Sequence, residues 1–480
     1  MNILFASSEV YPLIKTGGLA DVAYNLPRAL KSLHHSVRVI MPAYQSVLNQ
    51  LDHKYKIIKS FQLEQYSVRI LETQIAPSGL TLWLVDCPPY FDRPGNPYVN
   101  EQGQDWADNA LRFGLFCKVA ALIAVNQIDL KWRADIVHCN DWQTGLVPVY
   151  LDEFKRRPKT IFTIHNLAYQ GLFPYSSFQQ LGLPNHLWSY EKLEYYGQLS
   201  FIKGGLVFAD KINTVSPSYA KEILTPEFAC GLEGLLRYRQ KDLIGILNGI
   251  DGKDWNPDKD IYLSTSYSIK TLSDKIKNKA SLQKQCYFPQ LLTQQKKPLL
   301  LGMVSRLSEQ KGLDLLLDSM TELIKLPIQL VILGSGEAHY EMALTQLAQH
   351  YPDRIHITIG YDEALAHRII AGSDVFLMPS QYEPCGLTQL YSLRYGTLPL
   401  VRSVGGLADT VSDVTDETIE NKTANGFSFN DATALVLQST IERALLLFEN
   451  KPLWETLQYR GMQQDFSWKK SAKRYLQLYQ

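Results

Sequence analysis

The stretch NILFASSEVYPLIKTGGLADVAYNLPRALKSL, residues 2–33, reads as a strand, a polar turn and a helix in one piece. Asn2 to Ser7 is a short apolar run of the kind that forms a strand buried on both faces. Lys15, Thr16, Gly17 and Gly18 make the turn, and Leu19 to Leu33 spaces its apolar side chains for a helix. The same alternation recurs along the chain and predicts an α/β protein with parallel sheets.

Working outward, strands are expected at Val37 to Met41, Leu82 to Asp86, Ile136 to Cys139, Thr160 to His165, Lys211 to Val215 and Leu243 to Leu247. Helices are expected over Asp105 to Val125 and Gln143 to Phe154. After Asn248 to Asp251 the pattern dissolves into a Lys- and Ser-rich stretch, Asp258 to Lys279, which predicts a hinge region. A second α/β series starts at Pro298, with strands at Leu299 to Val304, Ile328 to Leu333, Ile355 to Ile359, Val375 to Met378 and Leu398 to Val401. Its helices follow near Gly312, Glu337, Glu363 and Leu387. The final segment sets Trp468, Ala472, Tyr475, Leu476 and Tyr479 at helical spacing, an apolar stripe that has to pack on something.

Composition narrows the function. The 480 residues are 45% hydrophobic, and 48 basic side chains balance 48 acidic ones. A chain so balanced has no global field to hold nucleic acid or an anionic membrane, so any anion site is local. No apolar run approaches the ~18 residues of a membrane span, and Met1 to Glu9 lacks the basic flank of a signal peptide. The 6 cysteines are widely spaced without a C-x-x-C pair, which argues against a zinc site or a disulfide scaffold and points to a reducing cytoplasm. No metal is expected.

Polar residues gather where strands end, and open α/β sheets bind ligands there. The turn at Lys15 to Gly18 has neither Walker nor G-x-G-x-x-G spacing, which disfavours NAD and FAD. A Lys beside a Gly pair suits a phosphate or sugar clamp, since backbone N–H groups reach a ligand closely there. The pentapeptide Gly17 to Asp21 recurs as Gly405 to Asp409. Asn140, Asp141 and Trp142 end one strand, and His165 and Asn166 end the next; a structural histidine is the plain alternative for His165. Tyr90 to Tyr98 is a Pro- and Gly-rich aromatic loop suited to a lid. Arg306 and Lys311 lie five residues apart in Ser305 to Gly312, where both can reach one diphosphate. Glu383 to Thr388 sets a carboxylate just before a helix.

These motifs resemble those of bacterial glycogen synthases and plant starch synthases, retaining glycosyltransferases, and the resemblance runs from end to end. It implies a GT-B fold of two Rossmann-like lobes with parallel sheets facing a deep interdomain cleft. Residues 1–247 would form the acceptor lobe, 248–465 the donor lobe, and 466–480 a helix crossing back to the first. It implies transfer of glucose from ADP-glucose to the non-reducing end of glycogen or a malto-oligosaccharide, with retained configuration and no cofactor. Carried over by position, His165, Arg306, Lys311 and Glu383 are the catalytic set. Lys15, Gly17, Gly18, Asn248, Gly360, Tyr361, Cys385, Gly386, Leu387 and Thr388 contact the donor, and Asp141, Trp142, Asn166 and Tyr98 the acceptor. Many retaining relatives place a second Glu eight residues after the first, which binds ribose; here that position is Tyr391. Two alternatives stand beside this reading: a UDP-glucose-dependent transferase, and a glucan-binding protein without catalysis. A phosphorylase would need a Lys for pyridoxal phosphate and a longer chain.

Overall fold

The computed structural model describes residues 1–289 and 297–480. The chain divides into two compact units, Met1–Gly249 with Trp468–Gln480, and Ile250–Ser467.

The first unit is built on a 9-stranded sheet. From one edge its order is Leu243–Gly245, Lys211–Thr214, Lys159–Ile164, Ile136–Asn140, Asn2–Ala6, Ser36–Pro42, Leu80–Asp86, Tyr66–Ile75 and Lys56–Leu63. Pairings are parallel as far as Leu80–Asp86. The strands Tyr66–Ile75 and Lys56–Leu63 then add antiparallel. Strand order reverses about Asn2–Ala6, which has Ser36–Pro42 on one side and Ile136–Asn140 on the other. Such a reversal opens a crevice at the carboxyl ends of the central strands, because their connections leave to opposite faces.

The last helix, Trp468–Tyr479, closes this unit. It buries Trp468, Ala472, Tyr475 and Tyr479, with Leu476, the fifth residue of the expected stripe, only partly buried against the same core. A polar chain runs beneath it. Tyr479 OH donates to His138 Nδ1 at 2.6 Å, and His138 Nε2 donates to Thr163 Oγ1 at 2.6 Å. Thr163 donates to Asn213 Oδ1, and Asn213 Nδ2 donates to Tyr475 OH at 3.1 Å. Burial, and then His165, pull the His138 pKa down to about 3, so its ring is neutral and accepts at Nδ1.

The second unit carries a 6-stranded sheet, ordered Ile355–Ile359, Ile328–Gly334, Leu299–Val304, Val375–Met378, Leu398–Arg402 and Phe427–Phe429, parallel throughout. Alternate side chains feed two cores. Leu299, Leu301, Leu330, Ile332, Val375 and Leu377 pack into one, and Leu300, Val331, Leu333, Phe376 and Met378 into the other. A period of two with apolar residues on both faces explains why these strands read as continuous hydrophobic runs. Order reverses between Leu299–Val304 and Val375–Met378, so this unit also has a switch point.

Two expectations fail here. The Lys- and Ser-rich stretch is a folded part of the second unit, because its charges find partners. Lys279 Nζ lies 2.5 Å from Asp374 Oδ2, while Lys275 Nζ donates to Ala371 O at 2.5 Å and Thr397 Oγ1 at 2.6 Å. The aromatic loop is likewise no open lid. Tyr90 and Phe91 are buried in the short helix Pro88–Phe91, and Arg93 grips Asp108 through two hydrogen bonds of 2.8 and 2.6 Å.

Candidate functional site

In the first unit the expected residues meet at the switch point. Asp141 follows the strand Ile136–Asn140 with φ 56° and ψ −178°, a conformation that costs a non-glycine residue roughly 1–3 kcal/mol. Its Oδ1 accepts from the backbone N–H of His165 at 2.7 Å, and Asn166 N–H also donates to it. Burial outweighs these donors and, with Glu9 adding repulsion, pushes the Asp141 carboxyl up to about 7. His165 is held neutral, its pKa drawn down to about 3 by burial. Asn140 Nδ2 donates to Ala6 O at 2.8 Å, which turns its Oδ1 toward His165 Nε2 at 3.0 Å. His165 therefore carries its proton on Nε2 and keeps a lone pair on Nδ1.

Lys15 Nζ pairs with Asp21 at 2.8 Å, across the turn that opens the helix Gly18–Ser32. A Cβ built on Gly17 meets no atom of the described residues within 4 Å, so their packing does not demand glycine there. Beneath the turn sits a residue that sequence reasoning missed. Glu9, 3% exposed, accepts from Thr16 N and from Thr16 Oγ1, each at 2.5 Å, and from Tyr98 OH. Its only sequence signal was its position, just past the first strand. Tyr98 also meets Ser8 Oγ at 2.8 Å, and burial followed by Glu9 raises its hydroxyl pKa well above the usual value.

Trp142 departs from expectation. It is 9% exposed and enclosed by Phe113, Phe173 and Phe201, with Gly171 against its ring. The indole is part of the core beside these aromatic rings and offers no open face for a sugar.

In the second unit, Ser305 to Gly312 leaves the strand Leu299–Val304 and turns through the short 3-10 segment Glu309–Lys311. Gly312 has φ 71°, and a Cβ on it would lie 1.9 Å from Pro379 O, so the turn seats directly on the neighbouring strand end. Two further bonds stitch these loops: Gln381 N to Gln310 O at 2.8 Å and Gln310 Nε2 to Tyr382 O at 3.2 Å. Lys311 Nζ thereby reaches Glu383 Oε2 at 2.6 Å, an oxygen that also accepts from Ser380 Oγ at 3.1 Å. Arg306 stands exposed beside them, 3.5 Å from Gln310 Oε1.

The second glycine pair belongs to the same construction. Gly406 N donates to Glu383 O at 3.0 Å, and a Cβ on Gly406 would fall 2.1 Å from Cys385 O. Gly386 and Leu387 lead into the helix Thr388–Arg394; Cys385 is buried, and Thr388 Oγ1 donates to Met378 Sδ at 3.3 Å. Gln389, also missed, is buried and binds Cys385 O and Gly386 O through Nε2 at 2.9 and 3.0 Å. Tyr391 stacks on Trp255 with centroids 3.8 Å apart, and Trp255 stacks on His367 at the same distance. An aromatic sandwich thus occupies the position where many retaining relatives carry a ribose-binding Glu. Tyr361 follows Gly360 at the end of Ile355–Ile359 and is 80% exposed. Asn248 falls in the first unit, buried, with its Oδ1 unpartnered among the described residues.

Among the described residues no three His, Cys, Asp or Glu side chains gather as a metal site, and no helix is long and apolar enough to cross a membrane.

Residues 2–238 match the family model described as starch synthase catalytic domain, and residues 287–447 match that of glycosyl transferases group 1. Glycogen synthase 1 of Methylococcus capsulatus is 52% identical over 479 residues, spanning 100% of this chain and 96% of that protein. Glycogen synthase of Cellvibrio japonicus is 52% identical over 481 residues, spanning 100% and 98%. The catalytic domain of starch synthase IV from Arabidopsis thaliana, solved bound to ADP and acarbose, matches with a TM-score of 0.85 at 32% identity, covering 100% and 98% of the two chains. Sucrose-phosphate synthase from Thermosynechococcus elongatus, at 17% identity and a TM-score of 0.60, shares the fold.

Proposed function

The chain belongs to the family of bacterial glycogen synthases and plant starch synthases, and on that premise we propose that it moves glucose from ADP-glucose onto the non-reducing end of an α-1,4-glucan, retaining configuration and releasing ADP. The observation that carries the reading is the Lys311–Glu383 pair at the second unit's switch point, with Arg306 beside it. A departing diphosphate gathers negative charge, and cations fixed beforehand stabilise it without reorganising. Glu383 and Ser380 hold Lys311 in place for that task. The exposed ring of Tyr361 suits a nucleobase, and Gly386, Leu387 and Thr388 offer backbone to glucose hydroxyls and phosphate.

The first unit serves the glucan. Asp141, Asn166 and Tyr98 form its polar acceptor edge, with Trp142 part of the core. Neutral His165, with its Nδ1 lone pair and backbone, lies beside the transferred sugar. Asn248 Oδ1, buried and unpartnered among the described residues, is an acceptor for a glucose hydroxyl. Lys15, the open backbone at Gly17, and Gly18 at the helix start would add donor contacts. Glu383 is engaged by Lys311 and Ser380, which supports same-face transfer, with ADP taking the proton of the incoming 4-hydroxyl, over a covalent glucosyl-enzyme. All six cysteines are free thiols, five of them buried, which suits the cytoplasm.

Incubation with ADP-glucose and glycogen should release ADP, faster than the UDP released from UDP-glucose at equal concentration. No release from any nucleotide glucose would overturn the reading.

A further inference from the structure

Glu9 contacts no group assigned to the transfer chemistry, yet it touches both the donor-side turn and the acceptor-side ring. It stands just beyond Asn2–Ala6, the strand about which the sheet order reverses. Its carboxylate receives Thr16 N and Thr16 Oγ1 at 2.5 Å each, and Tyr98 OH. All three partners donate, and two of them use the same oxygen, Oε1. A group that only accepts is what such a set requires, and an ionised carboxylate supplies it with bonds stronger than neutral pairs. Thr16 is the residue between Lys15 and Gly17, so fixing its N–H and its hydroxyl fixes the turn on both sides. Tyr98, from a loop about ninety residues away, is oriented by the same oxygen and by Ser8.

We propose that Glu9 is a positioning residue: one buried carboxylate sets the Lys15–Gly18 turn and the Tyr98 ring in a single geometry, so donor and acceptor groups keep a common register. The inference rests on the transferase reading above. Glu9 acts through Thr16 and Tyr98 and touches no reacting atom. Misplacing either partner by about 1 Å is enough to cost about 10²-fold in rate.

The test uses the full-length protein, with ADP release measured while ADP-glucose and glycogen are varied separately. Glu9→Gln, which keeps the shape and loses one acceptor and the charge, should lower kcat about 10- to 100-fold and raise KM for both substrates. Tyr98→Phe should raise KM for glycogen while leaving KM for ADP-glucose within twofold, and Thr16→Val should do the reverse. Because all three residues work through one group, Glu9→Gln with Tyr98→Phe should be no worse than about threefold beyond the poorer single variant. Multiplying effects in that pair, or kcat and both KM values within twofold of wild type in Glu9→Gln, would overturn the proposal. If Glu9→Gln fails to fold, Tyr98→Phe and Thr16→Val decide alone, and an absent or unsplit KM effect refutes it. A wild type that releases no ADP defeats the transferase reading instead, and the two failures are told apart by that control.

Discussion

Each unit gathers its candidate residues at a strand-order reversal, but from opposite materials. The first uses buried acceptors, Glu9 and Asp141, beside a histidine kept neutral. The second uses cations and close glycine turns, Arg306 and Lys311 over Gly312 and Gly406. The contrast teaches that one topological device, a crevice at the carboxyl ends of the central strands, leaves the chemistry open, and loop residues then decide it. A glucan presents hydroxyls and a nucleotide sugar presents phosphates, and the two loop sets differ accordingly.

The comparison breaks most easily at the cations. Lys311→Ala should reduce ADP release by about 10²- to 10³-fold while glycogen binding, followed by co-sedimentation, stays intact. Loss of glycogen binding in that variant would mean the two regions are not separable.

The acceptor side should respond to pH instead. Folded Asp141 keeps its proton up to about 7, whereas the unfolded chain releases it near 3.8, the ordinary value for an aspartate. Stability contributed by this group is therefore present at low pH and is lost as pH rises from about 4 to about 7. His165 and His138 run the other way: both stay neutral down to about 3 when folded, while unfolded imidazoles take up protons below their ordinary 6.5, so stability rises with pH between those values. Above pH 6.5 only the Asp141 slope remains of the three. Asp141→Asn, whose side chain tolerates positive φ, should flatten the fall in Tm between pH 6.5 and 8. It should also remove any limb of kcat/KM for glycogen near pH 7, and an unaltered pH profile would separate Asp141 from the acceptor.

The twin pentapeptides sharpen the contrast further. Gly406→Ala drives a methyl group against Cys385 O and should destabilise by about 1–3 kcal/mol, read as a lower Tm. Gly17→Ala places its methyl more than 4 Å from every atom of the described residues outside its own chain neighbours, so Tm should hold, and any rise in KM for ADP-glucose reports the ligand itself. Equal Tm losses in the two variants would show that the repeats are equivalent turns. Away from both sites, Tyr479→Phe leaves His138 Nδ1 without its donor and should lower stability by about 1–3 kcal/mol with the KM values unchanged.

Sequence reasoning reached the central parallel strands because apolar runs on both faces are visible without context, as in Leu299–Val304. It missed Lys56–Leu63, a half-exposed edge strand, and the short strands Leu172–Pro174, Glu194–Tyr195 and Gln198–Ser200, which are too brief to show a period. Arg306, Lys311 and Glu383 stood out in the sequence because each follows the carboxyl end of a buried strand, where open α/β sheets gather ligand-facing loops. Glu9 and Gln389 were not, since their importance lies in what they touch across the fold. Trp142 misled for a related reason: an indole beside a strand end looks alike in sequence whether it faces ligand or core.

The closing helix has a further consequence, for the order in which the protein is made. Ile250 bridges Ser467, and Ile250 N donates to Phe466 O at 2.8 Å, so the second unit begins and ends at one point and is an insertion within the first. A ribosome working from the amino end finishes the whole insert before it reaches Trp468. Until then the nascent first unit has an uncovered apolar groove where Trp468, Ala472, Tyr475 and Tyr479 will lie, and His138 waits for a hydroxyl 341 residues downstream. The body begun first is thus the last to be completed.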